Sequence, residues 1–162
     1  MPHDNHVIDH INKDVDSLLM DGVYSRSDAR EYYLNMTKDW EDPNPDSVIS
    51  MHEGVRVVRD DYITGSKVRG GDFMISQLPE HIDTIVYCQP RFGLAGVSII
   101  EVAKRHNKKV VLFMPSSKKI SHHQACCIER GAEPHFVRIA AMPNLKSAAE
   151  KWTAKRPNAF YV

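Results

Sequence analysis

The chain has 162 residues, 42% of them hydrophobic and 26% charged, the composition of one soluble globular domain. Lys+Arg and Asp+Glu each number 21, for a net charge of +0, so no cationic excess exists to displace counterions from a nucleic-acid backbone. Apolar runs fall far short of the ~20 residues of a bilayer-spanning helix, and no basic-then-apolar leader opens the chain. Three cysteines, two of them adjacent at Cys126 and Cys127, do not make a disulfide framework. The expectation is a cytoplasmic, reduced setting with neither nucleic acid nor membrane as partner.

In chain order, Val7, Ile8, Ile11, Val15, Leu18 and Leu19 recur at spacings of three and four, which predicts an amphipathic helix ending near Gly22. Ser25 and Asp28 form a capping-box pattern for a second helix carrying Ala29, Tyr32, Tyr33 and Met36. The prolines of Glu41-Asp42-Pro43-Asn44-Pro45-Asp46 then break helical structure. Residues 1–46 are read as a helical N-terminal arm. His3, His6 and His10 could share a helix face, yet a solvated terminus is the simpler reading and no metal is assigned.

From about residue 47 the pattern changes to an α/β domain running to 162. Strands are expected at Val55–Val58, Thr84–Cys88, Val110–Met114, His135–Ile139 and Ala159–Val162. Helices are expected at Phe73–Leu78, Leu94–Arg105, Ile120–Arg130 and Leu145–Lys155, with Asn107 and Gly131 as C-terminal stops. Strict alternation with strands apolar on both faces predicts a three-layer α/β fold: a mostly parallel open sheet of Rossmann-like βαβ units.

Open parallel sheets bind ligands beyond the carboxyl ends of their strands. Three segments are expected there: residues 59–71, containing Ser66 and Lys67; residues 89–94; and residues 115–119. Gln89, Arg91, Phe92, Gly93 and Leu94 lead into a helix N-terminus, where unpaired amides, the helix dipole and one guanidinium suit a carboxylate or phosphate. The same residues also fit a plain turn with a solvated Arg. Lys67, between Ser66 and a glycine pair, is either an ordinary exposed amine or a Schiff-base lysine, and the latter requires partial burial. Cys88 and at least one of Cys126 and Cys127 read as buried small hydrophobes, and Trp40 and Trp152 as packing residues.

The run Val58-Arg59-Asp60-Asp61-Tyr62-Ile63-Thr64-Gly65-Ser66-Lys67-Val68-Arg69 resembles the K-R-D-D-x-T-G…G-N-K-x-R segment of 1-aminocyclopropane-1-carboxylate deaminase and D-cysteine desulfhydrase. These are fold type II (tryptophan synthase β-like) pyridoxal-phosphate enzymes. The resemblance continues through Asp83-Thr84-Ile85-Val86, Val102-Ala103-Lys104, Lys109 to Pro115, and Glu129-Arg130-Gly131-Ala132-Glu133, covering about residues 48–162. It implies pyridoxal phosphate as cofactor, Lys67 as its Schiff-base lysine with Ser66 beside it, and residues 89–94 as the loop gripping the carboxylate of a small amino acid. Lyase or deaminase chemistry would follow, with the cofactor as electron sink. A gapless comparison puts Gly93 and Leu94 where the family has Ser and Asn, and leucine cannot donate the Asn hydrogen bond. The family's phosphate cup follows the strand matching residues 159–162. The resemblance therefore implies a truncated enzyme, completed by self-association or a second protein chain, or else an inactive binding or regulatory descendant. An unrelated Rossmann-like anion- or nucleotide-binding domain is the remaining alternative.

Overall fold

A computed structural model describes residues 26–138 and 141–162. The predicted helix at 7–19, the Ser25 cap, and His3, His6 and His10 lie outside the described residues. The elements are α1 (Arg26–Met36), β1 (Ile49–His52), β2 (Val55–Val58), a 3-10 turn (Asp60–Ile63), α2 (Lys67–Ser76), β3 (Thr84–Cys88), α3 (Ala95–Arg105), β4 (Lys109–Pro115), α4 (His122–Glu129), β5 (Glu133–Val137), α5 (Met142–Thr153) and β6 (Ala159–Tyr161).

Four strands form one parallel sheet in the order β5-β4-β3-β6. The period-2 alternation of each strand divides its side chains between two cores. Ile85, Val110, Leu112, Met114 and Phe160 pack with α2, α3 and α4 through residues such as Val68, Val102 and Cys127. Val86, Cys88, Val111, Phe113 and Ala159 face the other way, against Leu145 and Ala149 of α5. This is the three-layer α/β fold expected from the alternation of elements. The helix stops also hold: Asn107 has φ 53 and Gly131 φ 91, both in the left-handed region a C-terminal stop uses.

Three expectations need correction. Val55–Val58 is not a strand of the parallel sheet; it pairs antiparallel with Ile49–His52, His52 opposite Val55. The two-residue connection Glu53-Gly54, at φ 47 and φ 81, has the doubly left-handed backbone of a type I′ hairpin turn. The helix expected from Phe73 instead starts at Lys67. Gly70 and Gly71 lower helix propensity by about 1 kcal/mol each, but Val68, Asp72, Phe73 and Ile75 bury one face of the helix and override that cost. The helix expected from Leu145 begins at Met142, with Pro143 in its first turn, where proline is tolerated.

The segment before the hairpin is tied to the helical layer. Trp40 packs edge-on to Phe73 with ring centroids 5.5 Å apart. Asp42 accepts a bond from Arg69 at 2.7 Å, and Asn44 donates to Asp72 at 2.9 Å. Asp72, 1% exposed, also accepts from Arg105 at 2.7 Å and lies 3.0 Å from His106 Nε2. A buried carboxylate with three polar partners is satisfied, and this one clamps α2, α3 and residue 44 together.

Candidate functional site

The N-termini of α2, α3 and α4 meet at the carboxyl edge of the sheet. Ser98, in the first turn of α3, donates its hydroxyl to Thr64 O at 2.6 Å, so the turn before Lys67 is held against α3. That approach needs Gly65: its φ is +101 and an added Cβ would lie 3.3 Å from Ser98 Oγ. Thr64 itself has φ 70, a strained value for a β-branched residue. The segment containing Lys67 thus reaches the sheet edge through α2 packing on α3, and not by following a strand of that sheet.

Lys67 is exposed. Its amine has neither ion pair nor hydrogen bond among the described residues, and the partial burial a Schiff-base lysine requires is not supplied there. Ser66 is exposed too and lines a pocket of about 670 Å³.

The loop 89–94 divides into an inner and an outer part. Gln89 is 0% exposed; its Oε1 accepts from Gly96 N at 2.9 Å, and its Nε2 donates to Pro90 O and Gly93 O, each at 3.0 Å. The side chain therefore knits the loop and occupies one of the α3 N-terminal amides. Gly93, at φ +128, makes the turn no other residue would make readily. Arg91, Phe92 and Leu94 point outward, the last two 70% and 59% exposed. Arg91 donates to Lys119 O at 3.4 Å, and Ser121 Oγ donates back to Arg91 O, joining this loop to the one after β4. Residues 89–94 and 116–121 contribute Arg91, Lys118 and Lys119 to the edge, and no carboxylate.

The pocket lies over α3. Leu94 and Val97 contribute from α3 and its start, Val58 to Ser66 form one wall, and α4 forms the other through His122, His123, Cys126 and Arg130. Neither histidine was among the expected site residues; the signal available was their position one helix turn before Cys126 and two before Arg130, on one face of α4. Gln89 is the other residue whose role was missed.

The cysteines divide as expected. Cys127, 0% exposed, has its thiol pushed up to about 11 by burial, with Cys126 adding and Arg130 opposing. Burial also raises Cys88, against a smaller lowering by the Tyr161 hydroxyl. A group whose pKa rises on folding adds stability below its unfolded pKa and loses it above. Cys127 should therefore make stability fall between the ordinary thiol range and about pH 11. A thiol-reactive chromophore at neutral pH is expected to label Cys126 fast, and Cys88 and Cys127 only on denaturation. Three equally fast thiols in the native protein would contradict the burial.

No protein-family model matches the sequence, and no curated protein is significantly similar to it. Solved structures are similar. An ACC deaminase homologue superposes with a TM-score of 0.60 at 13% identity, covering 80% of this chain and 46% of its own. A hydrogen sulfide-producing enzyme from Fusobacterium nucleatum gives 0.55 at 15%, covering 73% and 42%. Cysteine synthase from Entamoeba histolytica gives 0.52 at 18%, covering 68% and 35%. These are fold type II pyridoxal-phosphate enzymes. The chain shares their fold. It spans less than half the length of each of these three fold type II proteins. No helix among the described residues is long and apolar enough to cross a membrane.

Proposed function

We propose that the chain is the lysine-bearing part of a pyridoxal-phosphate-dependent lyase or deaminase acting on a small amino acid. The observation that carries this reading is the Ser98–Thr64 bond at 2.6 Å, which holds the turn before Lys67 against the helix that loop 89–94 leads into. On that side the chain offers an amine with no ion pair among the described residues, whose partial burial the completing chain would supply, and exposed apolar Phe92 and Leu94 to flank a ring.

When bound, pyridoxal phosphate supplies an electron sink for a carbanion beside the substrate's amino group. Lys67 would hold the cofactor covalently and, once displaced, carry a proton at its Nζ. Ser66 lines the pocket over α3 and would offer a hydroxyl beside the cofactor. Arg91 and the α3 amides would orient the substrate carboxylate, while Gln89 and Gly93 keep that loop in shape. Phe92 and Leu94 would exclude water.

A second chain, either another copy or a different protein, completes the site in this proposal. Val48, Ile49, Met51, Val55 and Val58 expose half or more of their surface along and beside the hairpin, an apolar patch suited to a partner. Incubation with pyridoxal phosphate should give a visible absorption band that borohydride then fixes to the Lys67 peptide. The Lys67→Ala variant should lose both signals, and light scattering of the loaded protein should exceed the monomer mass. Labelling spread evenly over surface lysines, with no band, would overturn the proposal. That result would leave the reading favoured by the exposure of Lys67 and by apolar Leu94: a non-catalytic binding or regulatory subunit of the same fold.

A further inference from the structure

At the amino edge of the sheet, opposite the edge that holds loop 89–94, a second hollow of about 310 Å³ lies between the ends of α3 and α4. Its lining sets Lys104, Lys108, Lys109 and Arg130 against one carboxylate, Glu133, on a chain whose net charge is +0. The fold brings these cations from three places. Lys104 is in the last turn of α3. Left-handed Asn107, closed by Lys108 N donating to Ala103 O at 2.8 Å, turns the chain into β4 at Lys109. Arg130 ends α4, and beside it an added Cβ at Gly131 would meet nothing within 4 Å, so the backbone there borders open space. Two of the five charged groups are engaged: Lys108 Nζ donates to Ile82 O, and Glu133 lies 2.7 Å from His135 Nε2. Lys104, Lys109 and Arg130 have no carboxylate within ion-pair distance among the described residues. Asp83 is held below the usual carboxylate range by Thr84 and Asn158, donating at 2.6 and 2.9 Å, with Lys109 and Lys108 contributing charge only. Nor are Lys104 and Arg130 needed as helix caps, because backbone amides of residues 106–108 and 130–132 already bond the last carbonyls of α3 and α4.

We propose that this hollow binds a small phosphomonoester. A rounded space of that volume is about 8 Å across, roughly one Debye length at physiological ionic strength. Three unpaired cations lining it therefore repel one another until an anion stands between them. A phosphoryl group carries a charge of about −1.5 to −2 and three acceptor oxygens, so one group can meet donors arriving from three elements. A lone carboxylate has one charge and two oxygens. Ile100 and Val110, 2% and 6% exposed, make an apolar floor for a short carbon chain on the ester oxygen. About 310 Å³ is at the small end of the roughly 300–1,000 Å³ range of ligand pockets, which favours a few carbons over a nucleotide. The site does not use Lys67 and is independent of the proposed cofactor. Arg130 also lines the pocket over α3, so Lys104 and Lys109 carry the test.

The test is calorimetric titration of the full chain with propyl phosphate, inorganic phosphate, propanol and citrate. Propyl phosphate should saturate one site with a Kd at or below about 1 mM, inorganic phosphate should bind more weakly, and propanol should not bind. Lys104→Gln and Lys109→Gln should each weaken binding by about tenfold, the loss expected when a hydrogen bond to a charged group is removed. Both residues are exposed, so the variants should keep the melting temperature of the wild type. Lys151→Gln, on α5 across the sheet, should bind as the wild type does, and so should Lys67→Ala. The amide resonance of Gly131 should move during the titration. The proposal is overturned if propyl phosphate does not saturate, if propanol binds as well, or if citrate binds more tightly. It is equally overturned if Lys151→Gln weakens binding as much as Lys104→Gln, or if Lys67→Ala abolishes it.

Discussion

Gly96→Ala is expected to destabilise the protein by about 3 kcal/mol, although alanine is the better helix former by about 1 kcal/mol. Gly96 lies in the first turn of α3, where an added Cβ would be 2.4 Å from Gln89 Oε1 and 3.1 Å from Cys127 Sγ. Neither neighbour has room to withdraw, both being 0% exposed. Overpacking a tight interior site costs roughly 1–3 kcal/mol. If Gln89 swings away to relieve it, a buried amide loses its partners at Gly96, Pro90 and Gly93, at roughly 1–3 kcal/mol for each group left unsatisfied. The melting temperature should drop by about 6–12 °C, at roughly 2–4 °C per kcal/mol for a chain of this size. Because the two residues share one contact, Gln89→Ala with Gly96→Ala should cost less than the sum of the single variants. Thermal denaturation of the three variants measures this, and a stabilised Gly96→Ala would refute the account of the loop. In the same variant, Arg91 and Phe92 lose the fixed backbone that aims them outward, so any anion binding at this edge should weaken with stability.

The parallel sheet was legible because its strands are short apolar runs set off from the preceding helices by residues that tolerate left-handed backbone, as at Asn107 and Gly131. The hairpin was not, since Val55–Val58 is the same β-branched run whether it pairs in a parallel sheet or folds back on Ile49–His52; only Glu53-Gly54 carried the difference. The start of α2 was hidden by Gly70-Gly71, whose unfavourable local propensity is overridden by burial of Val68 and Ile75 against α3 and the sheet. At the site, the rule that ligands gather at carboxyl ends of strands placed residues 89–94 correctly at the edge. It could not say that Gln89 turns inward. A glutamine beside Arg91 reads as a polar side chain for ligand contact, and its true partner, the Gly96 amide seven residues on, leaves no composition signal. The turn before Lys67 comes against α3 for a reason the sequence did not display: the Ser98–Thr64 bond, not a preceding strand of the parallel sheet.

Asp72→Ala should cost about 3 kcal/mol and loosen the site from a distance. Breaking a buried ion pair by removing one partner typically costs roughly 3–5 kcal/mol, because the other charge is left uncompensated. Here the low end applies: Asp72's side chain is 2% exposed, but Arg105's is 37% exposed and can turn to water. The loss is spread over three contacts, to Asn44, Arg105 and His106. Asn44, 7% exposed, keeps bonds to Asp42 and Arg105 but gives up its tie to α2. Asp72→Asn keeps the shape and a neutral acceptor, so it should fall between wild type and alanine; equal stabilities for the two variants would show that the charge contributes nothing. The same clamp joins the middle of α2 to the end of α3, and these helices hold Lys67 and Ser98 at their other ends. Amide hydrogen exchange should therefore speed up in residues 42–46 and also around Thr64 and Gly65, some distance along the helices from the substituted carboxylate. Faster exchange confined to residues 42–46 would show that the Thr64–Ser98 contact aligns the two helices without help from Asp72.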